Sequence, residues 1–96
     1  MKFRKIMNSE QEIRGEWVLI QGNVQANESC QRIEWLISEY LIKLATDGSG
    51  WEHLYFDQED GRYWELTYPN SESHGGGAPL LKCISKHEAN MKYKIQ

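Results

Sequence analysis

Apolar residues between Glu28 and Ala45 recur with a helical period. At about 100° per residue, Cys30, Ile33, Leu36, Ile37, Tyr40, Leu41 and Leu44 fall within one arc. The spacing predicts a long helix over 28–45. Asn27 serves as its N-cap, Glu28 sits at the positive end of its dipole, and Thr46-Asp47-Gly48 stops it. Glu28/Arg32 and Glu39/Lys43 stand at i,i+4 in the favourable orientation. Trp35 and Ile42 fall on the opposite face. They need cover, either from Phe3, Ile6 or Ile13 of the N-terminal stretch or from a partner.

Elsewhere the period shortens to two. Glu16 to Gln25 is rich in β-formers, and Gly22 inside it predicts a bulge or a division into two short strands. Residues 51–57 and 62–68 read as two strands joined by Gln58-Glu59-Asp60-Gly61, whose Asp-Gly is a hairpin signal. In the second strand Trp64, Leu66 and Tyr68 point one way, and Tyr63, Glu65 and Thr67 the other. Pro69 ends it, 70–79 is a loop, and Leu80 to Ile84 is a short strand. Ser85 and Glu88 have capping-box spacing for a last helix through about Tyr93. The predicted fold class is α+β: a small, mainly antiparallel sheet packed against one long helix, plus a short C-terminal helix. Residues 1–15 read as a loosely ordered lead-in, and 16–96 as a single domain.

Charge adds a second layer. The net charge is −3, which argues against a nucleic-acid binder with a basic face. The acids Glu52, Asp57, Glu59, Asp60, Glu65 and Glu72 share their segment with one base, Arg62, whereas 82–96 carries four lysines and one acid. The first segment is either a solvated acidic surface or a patch that attracts a basic partner. Trp51, Tyr55, Phe56, Tyr63, Trp64 and Tyr68 exceed what one hairpin face can bury, so about half are expected at a contact surface. Cys30 and Cys83 read as buried free thiols of a reducing compartment. No run approaches a membrane span and the N-terminus lacks a signal-peptide core, so a cytoplasmic location is expected.

Catalytic chemistry finds little support. His53, His74 and His87 have no metal-ligand spacing, and no CxxC occurs; no metal and no cofactor is expected. Asp57, Glu59 and Gly61 miss the calcium-loop spacing, whose glycine comes one place later. Gly75–Gly77 lacks the lysine and hydroxyl residue of a phosphate loop and reads as a conformational joint, stiffened by Pro79. A small enzyme or ligand-binding domain using His74 and Gly75–Gly77 remains the alternative.

The residues from Trp51 onward carry a resemblance. W-E-x-L-Y at 51–55, D-G-R-Y-W-E-x-x-Y-P at 60–69, and H-G-G-G from His74 with a proline two positions on resemble the bacterial immunity protein 27 family. That is one of the immunity families of polymorphic and contact-dependent toxin systems. The helix start at Glu28–Leu36 is similar too, and the likeness spans roughly residues 16–95. Ala78 departs from the pattern, where a second proline is expected. The resemblance implies a non-enzymatic protein that binds and neutralises a cognate toxin domain in the producing cell. Such toxins are often nucleases with basic surfaces. The partner-binding residues expected on this basis are Glu52, Asp57, Glu59, Asp60, Tyr63, Glu65, Glu72 and His74, with the acids on the exposed side of the hairpin and loop and Tyr63 as an apolar anchor.

Overall fold

A computed structural model describes residues 4–69 and 77–95. The strands are β1 (Glu12–Arg14), β2 (Trp17–Ile20), β3 (Asn23–Ala26), β4 (Ile42–Thr46), β5 (His53–Phe56), β6 (Tyr63–Thr67) and β7 (Leu80–Ile84). The helices are α1 (Glu28–Trp35), extended by a π-helical turn at Leu36–Tyr40, and α2 (Lys86–Tyr93). Five strands form an antiparallel sheet in the order β1-β7-β6-β5-β4, and β2-β3 form a separate hairpin.

The α+β class and the antiparallel sheet are as expected, but the long helix is not. Helical structure stops at Tyr40, and residues 42–46 form the edge strand β4. The Leu41 N–H donates to the Leu36 carbonyl at 2.7 Å, closing a widened last turn, and Leu41 itself is extended. Ile42-Lys43-Leu44-Ala45-Thr46 alternates and carries β-branched residues, so it suits a strand as well as a helix. Pairing with β5 decides between them. Ile33 and Leu41 are buried as expected, Ile37 and Tyr40 are half-buried, and Leu44 is exposed at a bulge in β4. Trp35 and Ile42 therefore do not share a helix face. Trp35 stacks on Tyr40 at 6.2 Å between ring centroids, and Ile42 stands opposite Phe56 on the sheet edge.

Other boundaries follow the sequence closely. Gln21 and Gly22 both adopt positive φ, the two-residue turn that matches strand twist, so 16–25 resolves into β2 and β3. The predicted hairpin forms as β5 and β6. Ser85 accepts from the Glu88 N–H while the Glu88 carboxylate accepts from the Ser85 N–H, completing the capping box of α2.

Strand alternation sorts two cores onto the two faces of the sheet. Tyr55, Trp64, Leu66 and Leu81 pack with Ile33 and Leu36 of α1, and with Ile6 and Ile13. Leu54 and Ile84 pack with Ala89 and Tyr93 of α2. The N-terminal stretch is tied in by two arginines. Arg32 donates to the carbonyls of Arg4 and Lys5 and forms a two-pronged pair with Glu10; Arg62 donates to the carbonyls of Met7 and Glu10.

Candidate partner-binding surface

Most acids of the β5–β6 hairpin already have partners within the molecule. Asp57 is only 1% exposed. Its Oδ1 accepts from the Tyr40 hydroxyl at 2.8 Å and from the Glu59 N–H at 2.9 Å, which builds the turn between β5 and β6. Its Oδ2 has no partner among the described residues. Burial, then the Asp57 carboxylate, raises the Tyr40 hydroxyl above its ordinary value. Glu65 is 7% exposed and accepts from Lys92 at 2.6 Å and from the Tyr93 hydroxyl at 2.8 Å. Glu52 pairs with the same lysine, Glu59 pairs with Lys5, and Asp60 pairs with Arg62.

The expectation that Asp57 and Glu65 lie on an exposed face is therefore corrected: each is buried and accepts from donors within the molecule. Five acids here face the three bases Lys5, Arg62 and Lys92, which leaves two negative charges, one of them on the buried Asp57. The lysine-rich C-terminal segment supplies Lys92, so part of the charge asymmetry along the chain is cancelled by folding. Tyr63 is half-buried and lies against Phe56, with ring centroids 5.2 Å apart. Glu72, His74, Gly75 and Gly76 lie outside the described residues.

Exposed carboxylates lie instead on α1. With Arg32 drawn to Glu10 and Lys43 moved onto β4, the expected helical pairs do not form. Glu28, Glu34 and Glu39 are exposed, and no base pairs with them among the described residues.

Beside this helix the structure builds an apolar surface. In the β2–β3 hairpin Trp17 pairs with Ala26 and Leu19 with Val24, so these four share one face. Leu19 and Val24 are 72% and 70% exposed. Trp17 and Ala26, at the root, line a cleft of about 170 Å³ together with Ile33, Ile37, Leu66 and Pro79. Glu34 and Tyr68 stand in the same cleft lining. Burial, and then the negative charge of Glu34, raises the Tyr68 hydroxyl above its ordinary value. The apolar face thus runs from an enclosed end at α1 to a fully presented end at Leu19 and Val24.

Local contacts hold the cleft in shape. The Asn27 side chain accepts from the Cys30 N–H, capping α1, and from the Glu16 N–H, which anchors the hairpin root to the helix. Gly15 donates its N–H to the Pro79 carbonyl at 2.8 Å. A Cβ at Gly15 would stand 2.5 Å from Cys30 Sγ, so only glycine permits this approach. Cys30 is buried, Cys83 is half-buried, and both are free thiols. The β-forming character of 16–25 is legible in the sequence, but its exposure as a contact surface is not. The available signal was four large apolar residues, Trp17, Leu19, Ile20 and Val24, in a segment too short to bury both its faces.

Among the described residues no three His, Cys, Asp or Glu side chains converge as a metal site, and no helix is long and apolar enough to cross a membrane. No curated protein and no solved structure matches the chain. The family model described as Immunity protein 27 matches residues 19–85, from the exposed hairpin through the strands β4 to β7. That stretch includes Leu19, Val24, the whole of α1 and the β5–β6 hairpin, and it covers well over half of the sequence; the chain belongs to the Immunity protein 27 family.

Proposed function

We propose that this protein neutralises a cognate toxin domain by direct binding in the cytoplasm of the bacterial cell that makes the toxin, within a polymorphic or contact-dependent toxin system. The observation that carries the reading is the family match together with the apolar hairpin face it contains. Exposed apolar residues in one contiguous strip are the usual mark of a protein contact, and large side chains at the centre of such strips carry most of the binding energy. The toxin is a basic protein, of the kind a nuclease needs to hold nucleic acid. The net charge of −3 and the unbridged Glu28, Glu34 and Glu39 of the adjoining helix support this, since they attract a basic partner. Inhibition is by occlusion and needs no catalytic group on this chain. Of the hairpin acids, Glu52, Glu59 and Asp60 serve at the rim, where their intramolecular partners reduce their pull.

Co-expression with the toxin domain encoded beside this gene tests the proposal. The expected result is restored growth and a complex that co-purifies. Continued growth arrest in cells that contain the folded, soluble protein would sink it.

A further inference from the structure

The cleft at the root of the β2–β3 hairpin has a chemistry more specific than the strip it terminates. Its walls are apolar, from Trp17, Ala26, Ile33, Ile37 and Leu66. Its polar side is Glu34, an exposed carboxylate paired with no base among the described residues, with Tyr68 in the same lining. The volume, about 170 Å³, is close to that of a cavity known to accept a benzene-sized body, roughly 150 Å³, and well below the ~300–1,000 Å³ of typical cofactor and drug sites. One side chain fits, and a nucleotide or flavin does not.

We infer that the cleft receives a lysine or arginine side chain of the toxin, with the methylene stem against Ile33, Ile37 and Leu66 and the cationic head on Glu34 and the Tyr68 hydroxyl. Long basic side chains bury their stems along apolar surface and keep the charge at a polar rim, which is the arrangement this cleft offers. An apolar side chain would leave Glu34 without a partner at the edge of a dehydrated contact. An acidic one would be repelled by it. This inference rests on the toxin-binding function proposed above and specifies what the partner must present. Glu34 then gives specificity through charge complementarity, while Glu28 and Glu39, outside the cleft, act only on the rate of encounter.

The test is the affinity and dissociation rate of the neighbouring toxin domain, catalytically inactivated, for the full chain and three variants. E34Q removes the charge and keeps the shape, A26F fills the cleft, and E39Q removes a carboxylate of the same helix outside it. Thermal melts confirm that each variant is folded, with I37F in place of A26F should the latter fail. The expected result is a 10- to 100-fold loss of affinity for E34Q and A26F, mainly through faster dissociation, and less than a threefold change for E39Q. Wild-type binding that ignores both E34Q and A26F would overturn the cleft assignment and leave the toxin-binding function standing. A loss with A26F alone would give the cleft to an apolar side chain and overturn the cationic one. A self-associated free protein that A26F dissociates would assign the cleft to a second copy instead. No binding by the wild type would remove the toxin-partner function and the cleft assignment together.

Discussion

Lys92, on the last helix, lies 2.6 Å from the carboxylate of Glu65 in the middle strand of the sheet, and this contact joins the acidic hairpin to the lysine-rich C-terminus. Tyr93 donates to the same carboxylate at 2.8 Å. The tyrosine is buried and its acceptor is charged, so Tyr93→Phe should cost about 1.5–3 kcal/mol. Lys92 is 41% exposed, so Lys92→Met should cost less, about 1 kcal/mol. Urea unfolding of the two variants checks that order.

The same cluster sets the alkaline limit of stability. Burial, then Glu65, raises the Tyr93 hydroxyl; for Lys92 burial acts downward, but Glu52 and Glu65 outweigh it and the ammonium is raised overall. Folding thus favours the protonated form of both groups. Their contribution is complete below the unfolded values near pH 10 and is lost as pH rises above them. The unfolding midpoint should fall above about pH 10 in the wild type and fall less in Tyr93→Phe. Equal slopes for the two proteins would exclude Tyr93 as the source.

Glu10 governs the acid side. Its hydrogen bonds from Arg32 hold its carboxyl down at about 2, against the ordinary 4.5. Because the folded value is the lower one, the contribution is present above pH 4.5 and is lost as pH falls toward 2. Glu10→Gln should cost about 1.5–3 kcal/mol at neutral pH, the worth of a hydrogen bond to a charged group, and should flatten the acid dependence. Protease cleavage within residues 4–10 should also accelerate, because Arg32 loses the pair that orients it toward the Arg4 and Lys5 carbonyls.

Gly15 offers a purely steric test. An added methyl group would meet Cys30 Sγ at 2.5 Å and the Pro79 carbonyl at 3.0 Å, so Gly15→Ala should destabilise by about 1–3 kcal/mol. Gly15→Ala combined with Cys30→Ala should recover part of the loss, since the nearer clash goes. Failure of the double variant to recover would place the strain on the Pro79 backbone alone.

Where local chemistry was decisive, the sequence was readable: the capping box at Ser85 and Glu88, the Asp60-Gly61 turn, the strand Leu80–Ile84, and the alternation of Trp64, Glu65 and Leu66 across two cores. It failed at Tyr40, where no glycine or proline marks the helix end. Leu41 is buried, as the helical arc requires, yet it is already extended and leads into β4. The expected exposure of Asp57 and Glu65 failed for another reason. Charge counted along the chain ignores the bases that folding brings from Lys5 and Lys92, each more than two dozen residues away from its acid. The hairpin face was missed because its apolar residues look like core until the sheet proves to be built without them.

That face provides the most direct functional prediction. Leu19 and Val24 are opposite one another on β2 and β3, and both are largely exposed. Threonine at both positions is β-branched, which strands favour, and it removes apolar surface only from the outside. Stability should change by no more than about 0.5 kcal/mol, as for surface substitutions away from special features. Affinity for the inactivated toxin domain should fall roughly 30-fold or more, the effect of losing a hot-spot contact of about 2 kcal/mol. Calorimetric titration and a thermal melt on the same sample separate the two quantities. A lowered melting temperature with unchanged affinity would make the hairpin a folding element. Unchanged values in both would move the toxin contact to another face, with the β4 edge at Ile42 and Leu44 as the next place to substitute.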